Sequence, residues 1–556
     1  MHHLTLAASL AMILPCFSTA VAQTALTTGD CTELLGELPA GSIGLPSGPA
    51  KVVSASFESA KPLALAERGP TPAARVQPAQ PDFCKLIGEI GPVDPKAPPI
   101  RFQVNLPVRW NGKALQFGGG GFNGVLITGL GLPPATPLDR PGPLALGYVT
   151  YGTDSGHETK PGEPVQAFAA NDEAFLNFAH ASYKKVRDVA VSLAEKAYGQ
   201  KPRRIYFAGS SEGGREALTM AQRYPADFDG VFARVPVINW TGLQHAGFFG
   251  GMATMGDGWL NPELVKFVHE ETLKACDGLD GAADRVIANP SACLSAFKPS
   301  SLKCQAGQPA TACLNDKQIR AIETLRSPYR LPFPVANGLD DYPAWGIGGE
   351  GLPGVGATGG WSAWWTGTSA PTWPLSAGNA RAWEYGAGGI AHVFARDPAM
   401  DVTRYRPEDH KVRILEVSNL MDSTNPDLAP FHARGGKVII LEYLADYAQS
   451  PYAGIRYYEN VVKTMGTEKA GQTIRLFAAP GVDHVGTGAP ASVDMLAALD
   501  TWVEEGKAPA NLTVVEQDMV APAFPVLRSL PLCEWPAWPK YRAGEATQAA
   551  SFDCVR

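Results

Sequence analysis

Short apolar segments rich in β-branched residues alternate with helical patterns in the first half of the chain and again near its end. RIYFA (204–208) is followed by REALTMAQRY (215–224), and GKVIILEYL (436–444) is followed by AGIRYYENVVKTM (453–465) and TIRLFAAP (473–480). Strands that alternate with helices predict a mostly parallel sheet with helices on its faces. The pattern therefore predicts an α/β fold.

The alternation stops between residues 239 and 424, where the chain is rich in glycine, proline and tryptophan and holds four cysteines. We interpret 239–424 as an inserted second domain or lid, which leaves residues 23–238 and 425–556 for the catalytic core. A chain of 556 residues, 45% of them hydrophobic, is long enough for more than one structural unit.

The first 22 residues have the pattern of an export signal. LTLAASLAMILP is an apolar run of suitable length, and Ala20 and Ala22 form a small-residue cleavage site before Gln23. Cleavage after Ala22 predicts a secreted or periplasmic protein. No later stretch reaches the roughly 18 apolar residues that a membrane span needs, so a membrane-anchored protein is the weaker alternative.

The charge of the chain and its distribution argue against a nucleic acid partner. The net charge is −7, and the 47 lysines and arginines are spread along the chain without a basic block. Nucleic acid binding needs a concentrated positive surface. We therefore expect no nucleic acid partner.

The sequence contains nine cysteines, and removal of the signal with Cys16 leaves eight. An even set in an oxidising compartment predicts four disulfides. No C-x-x-C motif or Cys/His cluster indicates a zinc site instead. Nearest-neighbour pairing is one of many connectivities, and spacing alone does not select it; it joins Cys31 to Cys84, Cys276 to Cys293, Cys304 to Cys313 and Cys533 to Cys554.

GSSEGG (209–214) lies between a strand pattern and a helix pattern and matches G-x-S-x-G, with Ser211 at the central position. This is the context of a nucleophile elbow, in which a sharp turn exposes the serine at the carboxyl edge of the sheet. A glycine-rich turn without chemistry is the alternative. The motif alone does not separate the two interpretations.

A catalytic serine of this type is followed in the chain by an acid and then a histidine. His484 is the only histidine after His432 and follows the strand pattern IRLFAA. Asp446 follows the preceding strand pattern, where its carboxylate can orient the histidine ring. Glu442 lies within that strand and Asp483 is adjacent to the histidine, so Asp446 is the preferred acid.

Two backbone donors are needed to hold the oxyanion that forms on attack. One is the N–H of Glu212, directly after the nucleophile, and the loop ALQFGGGGFNG supplies the other from glycines 118–121. A phosphate-binding loop is disfavoured because no G-K-[ST] follows.

CDGLDGAADRVI carries Asp277, Asp280 and Asp284 within a short glycine-containing loop. Several carboxylates suit a hard cation, and calcium is the natural ion outside the cell. The spacing is not that of an EF-hand, and a solvated acidic turn is the alternative.

Together, these segments resemble a bacterial member of the tannase/feruloyl esterase family over nearly the whole mature chain. RWNGKALQFGGGGFNG, YFAGSSEGGREAL, GGWSAWWTG, GGKVIILEYLAD and APGVDHVG carry the resemblance with the acidic loop. It implies an α/β-hydrolase core with a large lid and the nearest-neighbour disulfides. The residues that it implies are the triad Ser211, Asp446 and His484, the oxyanion donors Gly121 and Glu212, the calcium ligands Asp277, Asp280, Asp284 and the carbonyls of Ala282 and Val286, and the substrate contact Trp364.

The sequence departs from the family at two places. Ser210 and Val485 stand where the family usually has a cysteine pair that bridges nucleophile and base. Glu442 and Tyr443 stand where it often has a His-Gly pair ahead of the acid. The triad geometry is therefore expected to depend on packing, and the pocket wall to differ.

We expect a secreted serine esterase that cleaves a small aromatic ester through an acyl-enzyme. Trp361, Trp364 and Trp365 can stack on an aromatic acyl group or simply fill the core of the lid. A calcium-dependent binding protein on a degenerate hydrolase scaffold and a serine peptidase are the alternatives. Oligomeric state does not follow from the sequence.

Overall fold

The computed structural model describes residues 25–67, 71–354 and 359–556. The predicted export signal, residues 1–22, lies outside the described residues. The strands are β1 (Gly36–Leu38), β2 (Ala50–Glu58), β3 (Ala64–Leu65), β4 (Val76–Gln77), β5 (Phe83–Ile90), β6 (Ile100–Pro107), β7 (Lys113–Phe117), β8 (Val149–Thr153), β9 (Arg204–Ser210), β10 (Gly230–Arg234), β11 (Tyr329–Arg330), β12 (Asp341–Tyr342), β13 (Lys437–Tyr443), β14 (Ile474–Ala479), β15 (Leu512–Gln517), β16 (Val526–Leu532), β17 (Trp538–Tyr541) and β18 (Phe552–Val555).

The α-helices range from one turn to almost five turns. They are α1 (Thr28–Thr32), α2 (Pro72–Arg75), α3 (Asp172–Leu176), α4 (Ser182–Tyr198), α5 (Glu212–Arg223), α6 (Trp240–Ala253), α7 (Pro262–Cys276), α8 (Pro290–Ala296), α9 (Asp316–Leu325), α10 (Gly360–Trp364), α11 (Arg381–Gly389), α12 (Lys411–Met421), α13 (Ala429–Ala433), α14 (Pro451–Met465), α15 (Thr467–Thr473) and α16 (Met495–Glu505).

Ten strands form one sheet in the order β1-β2-β5-β6-β8-β7-β9-β10-β13-β14. The pairings from β8 through β7, β9, β10 and β13 to β14 are parallel. Those that connect β1, β2, β5, β6 and β8 are antiparallel. The predicted α/β fold with a mostly parallel sheet is confirmed, and an antiparallel edge extends it.

The central strands are buried on both faces, which explains their continuous apolar sequences. In β13, Val438 and Ile440 face one hydrophobic core, whereas Ile439 and Leu441 face the other. Successive side chains of a strand point to opposite faces, so each face of the sheet needs its own covering layer. Helices α4 and α5 pack against the first core, and α16 packs against the second.

A long segment, residues 235–436, connects the adjacent strands β10 and β13. Its described part holds helices α6–α13 and the short β11–β12 hairpin, with no strand of the main sheet. Much of it packs on a separate core that includes Phe248, Trp383 and Phe394. The predicted lid lies within this segment, although its boundaries at 239 and 424 stay a prediction.

Four disulfides join nearest neighbours along the sequence, in the pairing that the resemblance implies. One of them anchors α1 to β5 through Cys31 and Cys84, and another joins the end of α7 to the middle of α8 through Cys276 and Cys293. The other two join Cys304 to Cys313 and Cys533 to Cys554. Within the described ranges, we find no helix long and apolar enough to cross a membrane.

Candidate active site

Ser211 lies on the sharp turn between β9 and α5, with φ 59° and ψ −121°. Such a backbone conformation is strained for a residue with a side chain and persists only where surrounding contacts enforce it. The neighbouring glycines allow the turn to be tight: a Cβ on Gly209 would lie 2.1 Å from the carbonyl oxygen of Gly213. The G-x-S-x-G sequence thus folds as a strand–turn–helix that exposes Ser211 at the carboxyl edge of the sheet.

The structure brings Ser211, Asp446 and His484 together from three loops at that edge. His484 Nε2 lies 3.0 Å from Ser211 Oγ, and His484 Nδ1 lies 2.7 Å from Asp446 Oδ2. Since an ionised carboxylate only accepts hydrogen bonds, the second contact places the ring proton on Nδ1. Nε2 is then free to accept the serine proton, which is the arrangement of a general base.

Asp446 is fully buried, and its position is fixed by its own loop. Its Oδ1 accepts hydrogen bonds from the backbone N–H groups of Ala448 (2.7 Å) and Gln449 (3.1 Å). The Gln449 side-chain amide also donates to Asp446 Oδ2 and to Glu442 Oε2, at 3.3 and 2.9 Å. These donors compensate the buried negative charge and hold the carboxylate toward the histidine.

The two other acidic residues near the histidine have different roles. Glu442 is buried below Asp446, and burial together with the Asp446 charge raises its pKa well above the usual value. Asp483 accepts from the backbone N–H groups of Val485 and Thr487 and from the Thr487 hydroxyl. Asp483 therefore shapes the loop that carries His484, while the contact with the ring is made by Asp446.

The glycine loop at 118–121, where the sequence predicts part of an oxyanion hole, lies beside Ser211. Gly121 has φ 60° and lines the cavity with Ser211 and Glu212. Among the described residues, the Gly121 N–H has no protein acceptor, and Glu212 is the first residue of α5, so its N–H has no intrahelical partner. Both predicted donors are therefore available to a developing oxyanion.

The loop is held by Glu216 from the nucleophile helix, which the sequence did not reveal. Glu216 Oε2 accepts from the Gly119 N–H at 2.9 Å, and Oε1 accepts from Asn123 Nδ2 and the Tyr183 hydroxyl, both at 2.7 Å. Asn123 in turn accepts from the Gly120 N–H at 2.6 Å. The Gly119 and Gly120 N–H groups thus already have side-chain acceptors, whereas the Gly121 N–H has none among the described residues.

A cavity of about 480 Å³ opens above the triad. Its lining includes Trp364 and Tyr385 from segment 235–436, and the Trp364 ring centroid lies 6.0 Å from that of His484. Trp361 and Trp365 are buried, at 2% and 1% exposure, and do not line this cavity. Of the three tryptophans considered in the sequence, Trp364 alone lies next to the triad.

Tyr385 gave no signal in the sequence, because it lies in an unremarkable helix, α11. A Cβ placed on Gly121 would be 3.0 Å from the Tyr385 hydroxyl, so that hydroxyl adjoins the proposed oxyanion position. Phe122 packs edge-on against the Tyr385 ring at 5.0 Å. Only the packing of segment 235–436 over the sheet brings this side chain to the site.

Ser210 and Val485, where the family usually has a bridging cysteine pair, both line the cavity. Ser210 Oγ accepts a hydrogen bond from Arg234 Nε at 2.8 Å. The second serine is therefore engaged with a neighbouring strand, while His484 contacts only Ser211 of the two.

The acidic loop is ordered by bonds from its own backbone. One oxygen of each carboxylate accepts from local N–H groups: Asp277 from Arg285, Asp280 from Ala282, and Asp284 from Val286. Asp280 Oδ2 is buried and has no hydrogen-bond partner among the residues that the structure describes. Burial and the neighbouring carboxylates raise the pKa of Asp280 to about 6.

This orphaned buried oxygen fits a cation, which would satisfy it and relieve the repulsion. In the part of the chain that the structure describes, no three His, Cys, Asp or Glu side chains already converge as a metal site. Backbone oxygens, such as those of Ala282 and Val286, would therefore have to complete the coordination.

The fold and the site's position define an enzyme of the α/β-hydrolase class. The family model described as tannase and feruloyl esterase matches residues 84–555. The chain therefore belongs to the tannase and feruloyl esterase family, and it is a carboxylic ester hydrolase.

Three similar proteins illustrate the relationship. An uncharacterized esterase of Agrobacterium fabrum is 38% identical over 95% of this chain and 93% of its own length. The mono(2-hydroxyethyl) terephthalate hydrolase of Piscinibacter sakaiensis is 29% identical over 88% of this chain and 87% of its own. The crystal structure of an esterase from Aspergillus oryzae, 25% identical, superposes with a TM-score of 0.76 over 95% of this chain and all (100%) of that one.

Proposed function

We propose that this enzyme is a secreted or periplasmic serine esterase that hydrolyses aromatic acid esters through an acyl-enzyme. The observation that carries the proposal is the continuous contact from Ser211 Oγ to His484 Nε2 (3.0 Å) and from His484 Nδ1 to Asp446 (2.7 Å). That geometry converts a weakly nucleophilic hydroxyl into an activated one.

The reaction proceeds in two halves. His484 takes the Ser211 proton as Oγ attacks the ester carbonyl, and Asp446 stabilises the imidazolium. The N–H groups of Gly121 and Glu212 bind the tetrahedral oxyanion, and His484 then protonates the departing alcohol. Water, deprotonated by the same histidine, attacks the acyl-enzyme and releases the acid.

Two features support an aromatic acyl group. Trp364 and Tyr385 present their rings in the cavity, with ring centroids 5.9 Å apart and planes at 87°, and an aromatic ring packs favourably against such surfaces. The family description and the names of related proteins also point to aromatic acids. Hydroxybenzoic and hydroxycinnamic esters are the substrates that we favour.

The decisive experiment compares wild type, Ser211→Ala and Ser210→Ala on methyl gallate, methyl ferulate and 4-nitrophenyl acetate. We expect Ser211→Ala to lower kcat at least roughly 10⁴-fold. A fluorophosphonate probe should label wild type and Ser210→Ala covalently but not Ser211→Ala, because only Ser211 contacts the histidine. Labelling of Ser211→Ala, or residual turnover near the wild-type rate, would contradict the assigned nucleophile.

The other outcomes favour the rival classes. Cleavage of an anilide without cleavage of simple aryl esters would indicate a peptidase, which must protonate an amine leaving group. If no ester is cleaved while the protein binds calcium, the binding-protein alternative gains support.

Two further parts of the proposal concern the environment of the enzyme. The four disulfides fit an oxidising compartment. The loop at 277–286 is proposed to bind one Ca²⁺ through Asp277, Asp280, Asp284 and the carbonyls of Ala282 and Val286; the ion would compensate the clustered negative charge and stabilise the loop.

A further inference from the structure

Arg234 is the last residue of β10 and lies beside the nucleophile. In the sheet register it pairs with Ser210, and its carbonyl oxygen accepts the Ser211 N–H at 3.0 Å. The side chain is 8% exposed and lines the same cavity as Ser211 and His484. A guanidinium is always protonated in proteins, so a full positive charge borders the catalytic cavity.

This charge lacks the partner that other buried arginines of the molecule have. Arg215 lies 2.6 Å from Glu212, and Arg326 lies 2.6 Å from Glu350. Among the described residues, no carboxylate oxygen lies within 4.0 Å of the Arg234 guanidinium. Burying an unpaired charge is costly, so a protein that retains one beside its reacting atoms has a use for it.

The neighbouring acids are already engaged elsewhere. Glu212, which also lines the cavity, is paired with Arg215. Asp483 is occupied by the backbone and hydroxyl donors of its own loop. Neither carboxylate neutralises Arg234.

The contacts of Arg234 orient it without cancelling its charge. Nε donates to Ser210 Oγ at 2.8 Å, and the guanidinium carbon lies 5.3 Å from the centroid of the Tyr443 ring. A Cβ on Gly486 would be 3.6 Å from Nη1, so the outer end of the guanidinium adjoins the loop of His484. The fork is therefore held in a fixed direction, which is the condition for binding a planar anion.

We propose that Arg234 forms an anion-binding subsite, and that among aromatic acid esters the enzyme prefers those that carry a second, ionised carboxylate. This inference rests on the proposed serine esterase function. The aromatic rings of Trp364 and Tyr385 would contact the apolar part of such a substrate, and Arg234 would fix its charged end. A monoester of an aromatic dicarboxylic acid has this chemistry.

The test uses two aromatic methyl esters of equal size, methyl 4-carboxybenzoate and methyl 4-carbamoylbenzoate, together with the 3-substituted pair. The readout is the ratio of kcat/KM between the carboxylate and the carboxamide ester. We expect wild type to prefer the carboxylate about tenfold or more, the scale of a charge-assisted hydrogen bond. Arg234→Met should bring the ratio close to one.

Three further variants distinguish anion binding from other roles. Arg234→Lys keeps a point charge and should retain part of the preference, since lysine lacks the bidentate fork. Ser210→Ala removes the anchor of Nε but not the charge, and should also retain part of it. Arg404→Met is the control, because Arg404 is 87% exposed at its side chain and should leave the ratio at its wild-type value.

Two results would overturn the subsite: a wild-type ratio near one in both pairs, or an equal loss on both esters in Arg234→Met. The second would mean that Arg234 acts by positioning Ser210 and the nucleophile turn. A separate measurement tests the esterase function itself: wild type, but not Ser211→Ala, should hydrolyse 4-nitrophenyl acetate. A failure there contradicts the proposed esterase function, whereas a flat ratio in a Ser211-dependent esterase contradicts only the subsite.

Discussion

Glu442 and Asp446 are buried four residues apart, and one of the two must be neutral for the other to remain charged at low cost. Gln449 Nε2 donates to both carboxyl groups, while Glu442 Oε1 is buried without a partner. Burial and the neighbouring Asp446 raise the pKa of Glu442 well above its usual value, so Glu442 holds its proton to higher pH than an exposed carboxyl group does. A protonated Glu442 places no second negative charge beside the carboxyl group that contacts His484.

This assignment predicts a pH-dependent stability. The folded protein keeps a proton on Glu442 that the unfolded chain releases above the ordinary value of 4.5. The contribution of Glu442 to the free energy of unfolding is thus fully present below that pH and declines as pH rises toward the folded-state pKa. Relative to Glu442→Gln, which does not titrate, wild type should lose stability as pH increases above 4.5.

The measurement is the urea unfolding midpoint of wild type, Glu442→Gln and Glu442→Leu at a series of pH values that begins at 4.5 and increases. Both variants should show a smaller decline than wild type, since neither can release a proton on unfolding. Parallel curves for all three proteins would show that Glu442 is ionised in the folded state.

At the residue scale, the sequence predicted the three members of the triad because chain order and strand ends restrict them. Each lies within four residues of the end of a predicted strand. Glu216, Tyr385 and Arg234 could not be assigned in this way, since their contacts join positions far apart in sequence. The proposal for Arg234, for example, depends on there being no carboxylate within 4.0 Å of its guanidinium among the described residues.

At the scale of elements, the strand–turn–helix of β9 and α5 sets the position of Ser211. A Cβ on Gly213 would lie 2.6 Å from the Gly119 carbonyl oxygen, so the helix start and the oxyanion loop are in close backbone contact. The glycines thus do two things: they permit the turn at Ser211 and let the loop approach the helix. The motif predicted the first but not the second.

We predict that Gly209→Ala is strongly damaging and that Gly131→Ala is not. The new methyl at 209 would lie 2.1 Å from the Gly213 carbonyl oxygen, whereas nothing lies within 4 Å of a Cβ at 131. We expect Gly209→Ala to destabilise by about 3 kcal/mol and to reduce kcat/KM for 4-nitrophenyl acetate. Gly131→Ala should change stability by no more than about 0.5 kcal/mol.

Thermal unfolding and steady-state kinetics on the purified variants check this pair. If Gly209→Ala matches wild type in both measurements, the turn is looser than the close backbone contacts require.

At the scale of the whole molecule, the acidic loop and the segment that carries His484 are connected by packing. A Cβ on Gly481, three residues before His484, would lie 2.8 Å from Val286 Cγ1. Val286 and Val482 belong to the same hydrophobic core, and the Cys276–Cys293 disulfide brackets the loop. A change in the conformation of the acidic loop is therefore expected to alter the packing of the segment that carries His484.

Removal of calcium is predicted to lower both Tm and activity. Binding to the folded state alone stabilises by about 2.7 kcal/mol at a ligand concentration 100 times Kd, so EDTA should lower Tm by several degrees and added Ca²⁺ should restore it. Asp280→Asn should abolish this response, because it removes the buried carboxylate. The exposed Asp518→Asn is the matched control and should respond as wild type does.

A Tm that is insensitive to EDTA and Ca²⁺ would contradict the calcium site. If EDTA lowers Tm but leaves kcat unchanged, the calcium site is supported but its connection to His484 is contradicted.

The sequence by itself determined the α/β pattern, the elbow at Ser211, the order serine–acid–histidine and the even set of cysteines. These features depend on neighbouring residues or on the order of residues along the chain: the hydrophobic period, a glycine at a tight turn, and the position of polar residues after strands. Only the tertiary structure decided which tryptophan lies next to His484, how Glu216 holds the glycine loop, and that Arg234 has no acidic partner among the described residues. Those depend on which distant segments meet, because packing over two faces of a sheet is a property of the whole chain.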